Sequence, residues 1–209
     1  MKNEPKMLIV GLAGGIATGK SLIAQEIAKL PGVVVVDADR VAWETYKKST
    51  EIYKKLLARF GQEILSEDGE IDRKKLGALV FSDPHAREFV NATVHPAVQE
   101  FLERIAERER ARGTKLLIIE AALLLESPHV RRDFFDYIIL VSAPRDAQIH
   151  RLITRSKLSP EEARRRVEAQ TPPELLAPKA DFVLDTSGTI EETLERARAL
   201  FQSLLARAG

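Results

Sequence analysis

Apolar residues in this chain gather into five short runs: MLIVGL at 7–12, VVVVD at 33–37, LLIIE at 116–120, YIILVS at 137–142 and FVLD at 182–185. Each run is apolar at successive rather than alternate positions, which predicts strands covered on both faces, the pattern of a parallel sheet. Between the runs the period lengthens to that of a helix. Leu22, Ile23, Ile27 and Leu30 form one stripe, closed by Pro31-Gly32. Ile190, Leu194, Ala197, Leu200, Phe201, Leu204 and Leu205 form another near the C-terminus. Strands alternating with helices predict an α/β fold built on a doubly wound, parallel, five-stranded sheet.

Two stretches depart from that alternation. From Asp39 to Lys115 no strand pattern occurs, and helices are expected over about 40–60, 72–81 and 84–112. Ser82-Asp83-Pro84 supplies a start signal, a capping residue before proline at the first helical position. Glu100 with Arg104, and Glu107 with Arg110, stand at helical neighbour spacing and read as a solvated face. The second stretch, between Ser142 and Phe182, holds the basic segment HRLITRSKLSPEEARRRVEAQ followed by TPPELLAP. Ser159-Pro160-Glu161-Glu162 reads there as another helix start. The chain thus divides into one core carrying a helical insertion and a short mobile flap, with no internal repeat or low-complexity tract.

Composition narrows the chemistry. The chain has 209 residues, 44% hydrophobic and 30% charged, as expected of an ordinary globular protein. A formal net charge of +1 gives no basic excess for broad nucleic-acid binding. With no cysteine, disulfides, thiolate zinc sites and cysteine nucleophiles are excluded. No window approaches the length of a membrane span and the N-terminus shows no leader pattern, so a cytoplasmic protein is expected.

Gly11, Gly14, Gly15 and Gly19 are four of only eleven glycines. Gly14-Gly15-Ile16-Ala17-Thr18-Gly19-Lys20-Ser21 matches G-x-x-x-x-G-K-[ST] in full, between a strand pattern and an amphipathic helix that opens with Leu22. Glycines let backbone N–H groups approach phosphate oxygens, and the helix N-terminus adds its dipole. Lys20 would reach the β- and γ-phosphates and Ser21 would ligate Mg²⁺. No N-K-x-D element marks a guanine switch; Asp185-Thr186-Ser187-Gly188 has a D-x-x-G form but lies near the C-terminus. Motor ATPases need a longer chain, which leaves a small kinase with ATP as donor.

The acceptor clue is VVVVDADR, an acidic pair after a strand at the carboxyl edge of the sheet. Asp37 and Asp39, two apart on an extended segment, could face one side and position a hydroxyl, or an aspartate here could cap the next helix. GLAGGIATGKS, VVVVDAD, IDRKKLGALVF, VHPAVQ, EAALLLE, RLITRS, EAQ and ADFVLDTSG follow in that order, and together they resemble the dephospho-coenzyme A kinase family over roughly 8–188. That resemblance implies transfer of the ATP γ-phosphate to the ribose 3′-hydroxyl of dephospho-coenzyme A. It implies Asp39 facing the acceptor hydroxyl, Arg151 and Arg155 as lid arginines, and Arg73 and His95 on the acceptor side. Arg155 and the run Arg164-Arg165-Arg166 also read as a solvated basic face.

The resemblance divides the chain into a nucleotide-binding core at 7–42, 113–144 and 180–209, an acceptor region at 43–112 and a lid at 145–179. Four positions depart from the family pattern. Glu120 and Ala122 replace an aspartate and a proline, so Glu120 would serve the metal directly or through water; Thr186 replaces an asparagine; Leu176 replaces a lysine, with Lys179 nearby. Two alternatives stay open: another small-molecule kinase, for nucleosides, nucleotides or shikimate-like acceptors, and a nucleotide-dependent binding switch. Oligomeric state is not set by these patterns.

Overall fold

The computed structural model describes residues 6–128 and 130–209, so the N-terminal tract read above falls partly outside it, at 1–5. The five apolar runs are the five strands: β1 Leu8–Ala13, β2 Val33–Asp37, β3 Leu116–Ala121, β4 Tyr137–Ser142 and β5 Phe182–Asp185. They pair in the order β2-β3-β1-β4-β5, and every pairing is parallel. β1 is buried throughout, whereas the edge strands β2 and β5 are only partly covered. That gradient is what successive apolar positions encode in the middle of a sheet.

Helices α1 (Lys20–Ile27) and α9 (Ile190–Leu205) cover one face. Ile23, Ile27, Ala197, Phe201 and Leu204 meet Val10, Leu12, Ile118 and Ile139 there, all under 2% exposed. Residues of the opposite pleat, Ile9, Leu117, Ile119 and Leu140, are equally buried. Thr189 starts α9 with a reciprocal cap: its hydroxyl accepts from Glu192 N, and the Glu192 carboxylate accepts from Thr189 N at 2.9 Å.

Two aspartates fix where the central ladder begins. Asp136, just before β4, donates its N–H to Ile9 O at 2.9 Å while its carboxylate accepts from Ile9 N at 2.8 Å. Asp181, just before β5, repeats this with Ile138 O at 2.8 Å and Ile138 N at 2.6 Å. Each carboxylate satisfies a strand N–H that would otherwise end the ladder unpaired.

Two compact units emerge: the chain up to Asp37 with everything from Ala106 onward, and Ala38–Ile105. The second is helical, with α2 (Ala38–Thr45), α3 (Glu51–Phe60), α4 (Arg73–Ser82) and most of α5 (Pro84–Ala111). The single helix expected over 40–60 is in fact two. Ser49 takes a left-handed φ of 83° and the Thr50 hydroxyl caps α3 by accepting from Tyr53 N at 3.0 Å, so the polar run Lys47–Thr50 becomes a turn. Asp83 caps α5 through His85 N at 2.8 Å, as its sequence predicts. Pro96 lies inside α5 without ending it. One antiparallel bridge, Leu65 with Ile71, is the element there that no apolar alternation announced. Tyr53, Leu56, Ile64, Ile71, Leu76 and Val94 form this unit's own core.

The remaining helices, α6 (Arg145–Ser156), α7 (Pro160–Glu168) and α8 (Pro173–Leu176), fill the basic stretch between β4 and β5. Ser159 starts α7 by accepting from Glu162 N at 3.2 Å, with Pro160 at the first position.

Glu109, in the last turns of α5, is only 3% exposed and accepts from Thr114 Oγ1 at 2.9 Å and from Arg108 and Arg112 at 3.1 Å each. Burial pushes its carboxyl up, but the Thr114 hydroxyl and the two guanidinium groups outweigh that and hold it below the usual glutamate range. A depressed acid stabilises the fold above its unfolded value and loses that contribution as pH falls through the folded one. Glu109→Gln should therefore cost about 1–3 kcal/mol at pH 7. Urea midpoints should show the gap from wild type closing as pH drops below about 4.3, the ordinary glutamate value.

Candidate active site

β1 lies between β3 and β4, which the chain visits only after long excursions, so the sheet reverses direction beside it. Ligand sites of such sheets form at that reversal, beyond the carboxyl ends of the strands. The loop Gly14–Gly19 stands there, joining β1 to α1. Gly19, immediately before Lys20 at the head of α1, has φ 94°, a left-handed turn that glycine makes without strain. Ala17 has φ 56° despite its Cβ, and its carbonyl accepts from Arg151 Nη1 at 3.1 Å.

At the floor of the loop, Lys20 Nζ pairs with Glu120 Oε1 at 2.6 Å, the two side chains 12% and 13% exposed. Ser21 Oγ donates to the same oxygen at 2.9 Å. Sheet register explains the meeting: Glu120 lies beside Leu12 on one side and Asp37 on the other. All of Gly14 to Leu22 line one cavity of about 830 Å³, joined by Arg151, Arg155 and Gln170. Main-chain amides, a helix N-terminus and an ammonium group on one cavity make an anion site of the polyphosphate kind.

A hard divalent cation also fits. Ser21 and Glu120 offer two oxygen ligands, and Mg²⁺ takes its other positions from water and phosphate. Among the described residues no group of three or more His, Cys, Asp or Glu forms a closed protein cage.

The α6–α7 hairpin grips this loop. Ile16 and Ala17 pack against Leu152, Ala163 and Val167. Arg151 donates through Nη1 to Thr186 Oγ1 at 3.0 Å and through Nη2 to Thr186 O at 2.5 Å. Burial, with Arg155 close by, lowers the pKa of Arg151, and Asp185 opposes that. Arg165 and Arg166 both pair with Glu162 along α7, which matches their reading as a solvated face.

Of the residues expected on the acceptor side, Asp39 is in the first turn of α2, so the extended segment expected from Asp37 to Asp39 is replaced by a strand end and a helix start. Arg73 opens α4 and lays its guanidinium 3.1 Å above the centre of the Trp43 ring. Tyr46 is half-buried, and burial raises its hydroxyl pKa, with Arg73 opposing and Asp39 adding to the rise. His95 is half-buried within α5 beside Pro96.

A family model described as dephospho-CoA kinase matches residues 8–192. The chain belongs to the dephospho-CoA kinase family. It is 41% identical over 191 residues to a dephospho-CoA kinase of Geobacter sulfurreducens, covering 91% of this chain and 94% of the relative. It is 37% identical over 199 residues to one of Moorella thermoacetica, covering 95% and 92%. A crystal structure from Thermus thermophilus is similar with a TM-score of 0.76 at 32% identity, over 95% of this chain and 97% of the other. A shikimate kinase of Acinetobacter baumannii shares the fold alone, at 14% identity and a TM-score of 0.50 over 97% and 96% of the two chains. Dephospho-CoA kinases use ATP in the final step of CoA synthesis.

Within a dephospho-CoA kinase, three features here escape a reading of residues one by one. Thr186, where the resemblance leads one to expect asparagine, is 2% exposed, and its hydroxyl donates to Thr18 O at 2.7 Å while accepting from Arg151. Thr186 thus serves the loop and Arg151. Leu176, where the resemblance leads one to expect lysine, is buried at 7%, while Lys179 Nζ reaches Leu125 O at 3.3 Å. Gln170 accepts from Ile16 N at 2.7 Å, and Thr171 Oγ1 donates to Glu126 at 2.6 Å. The motifs EAQ and EAALLLE carried these positions, but no spacing connects them before the chain is folded.

Thr186→Val keeps the shape and removes the hydroxyl, leaving Thr18 O without its donor and Arg151 Nη1 with Ala17 O alone. Urea denaturation should show a loss of about 1–3 kcal/mol, the cost of unsatisfied buried groups.

Proposed function

We propose that this chain transfers the γ-phosphoryl group of ATP to the ribose 3′-hydroxyl of dephospho-CoA. The observation that carries the donor half is the shared grip of Glu120 on Lys20 and Ser21 at the floor of the glycine loop. Phosphoryl transfer asks little covalent chemistry of a protein and much positioning and charge. Lys20 and the amides at the head of α1 would hold the β- and γ-phosphates. Ser21 and Glu120 would hold Mg²⁺, directly or through water; when bound, the ion offsets charge on the phosphate oxygens.

Asp39 would orient the acceptor hydroxyl and accept its proton. Arg73 and His95 would serve the acceptor within 43–112, where the Arg73–Trp43 stack already holds the guanidinium in place. Residues 145–179 would act as the lid, closing over the donor with Arg151 and Arg155. A planar guanidinium suits that task by gripping phosphate oxygens with two donors. Closure also excludes water, which would otherwise accept the phosphoryl group. No helix among the described residues is long and apolar enough to cross a membrane.

A coupled assay with ATP, Mg²⁺ and a panel of dephospho-CoA, AMP and shikimate tests the reading. Dephospho-CoA should lead by at least about a hundredfold in kcat/KM, given what a pocket built for one acceptor discriminates. A nucleotide or shikimate preferred to dephospho-CoA would overturn it. Asp39→Asn should lower kcat by roughly 10²–10⁴, the range of a lost general base, with the ATP Kd held within about twofold. Unaltered turnover would remove Asp39 from that role.

A further inference from the structure

We infer that Gln170 is a positioning residue for the donor site: its carboxamide clamps the Gly15–Ile16 peptide of the phosphate loop to the end of α7. The inference rests on the donor half of the proposed function and is indifferent to the identity of the acceptor. Both polar groups of that peptide are held. Its N–H, on Ile16, donates to Gln170 Oε1 at 2.7 Å; its carbonyl, on Gly15, accepts from Thr18 Oγ1 at 2.9 Å. A peptide plane gripped on both edges cannot rotate, and neighbouring amides inherit its orientation.

The carboxamide is itself fixed. Gln170 Nε2 donates to Arg166 O at 3.1 Å, so the oxygen is the atom left for Ile16. Gln170 N bonds Val167 O at 3.2 Å, and the next residue, Thr171, is tied to Glu126. The Ile16 side chain packs on Val167 and Leu152, so the residue is held by its backbone and its side chain from the same hairpin.

Gly15 supplies an independent sign. Unlike Gly19, its backbone is not in the left-handed region, so its own conformation does not call for glycine. A Cβ at this position would collide with Gln170 Oε1 instead. The bare glycine therefore makes room for the clamp. An anion cradle made of loop amides binds well only if the amides are ordered beforehand, because ordering them on binding subtracts from affinity.

The test measures Mg-ATP binding to the full chain by titration calorimetry with no acceptor present, and KM for ATP against kcat in the coupled assay. Gln170→Ala should raise the ATP Kd and KM about three- to tenfold, the range of one lost hydrogen bond, with kcat changed far less and the thermal midpoint nearly constant. Gln170→Asn, one methylene short, should not restore binding. Gln170→Glu keeps the acceptor oxygen but brings a negative charge to the phosphates, so its defect should shrink with added salt.

The decisive comparison pairs the two positions. Gly15→Ala should weaken ATP binding in the parent chain and add little in the Gln170→Ala background, since the obstacle has gone. Additive penalties, or a Gln170→Ala variant with unchanged ATP Kd, would overturn the inference. Should Gln170→Ala fold poorly, the salt dependence of Gln170→Glu decides alone. Failure of the dephospho-CoA assay would leave the acceptor-free calorimetric ATP measurements standing.

Discussion

A carboxylate at the end of a buried strand must be neutralised, and Glu120 is neutralised by the two residues that define the phosphate loop. Lys20 and Ser21 are a hundred residues away in the chain and reach it only because β1 and β3 run parallel and in register. Had those strands slipped by one residue, Glu120 would face the other side of the sheet. Lys20 would then lose its partner in a region where an unpaired charge is costly. The five-stranded order, the long excursions between strands and the burial of β1 can all be read as what it takes to keep this contact.

Around it, the loop is restrained by elements that come late in the chain. Arg151 holds Ala17 O, Thr186 holds Thr18 O, and the α6–α7 hairpin packs on Ile16 and Ala17. A left-handed alanine persists only where its surroundings leave no alternative. The α6–α7 hairpin thus bears on the geometry of the loop.

Much of this was legible in the chain. The five strands, α1, the starts of α5 and α7, and the loop Gly14–Ser21 follow from successive apolar positions, capping residues and a motif whose spacing has a physical cause. Glu120 was placed in the donor site by resemblance, and in the fold it meets Lys20 and Ser21. What the chain concealed depends on distance or local competition. Lys47–Thr50 looked helical because its flanks are, yet Thr50 caps better than it propagates. Gln170 and Thr186 lay in motifs the resemblance marked, but their partners gave no signal, since a lone glutamine or threonine after a helix or strand has no period to reveal them. Gly15 alone hinted at the clamp, and only once its backbone angle was known.

The aspartates Asp136 and Asp181 have a consequence for how the molecule assembles. Parallel strands far apart in sequence meet late and can zip together one step out of place. Each carboxylate rewards a single alignment by taking an N–H that no shifted partner would present to it. A misaligned encounter would leave an acid stranded against apolar neighbours and come apart quickly. The sheet is proofread at its amino end, so that the chemistry at the opposite end can rely on atoms being where they must be.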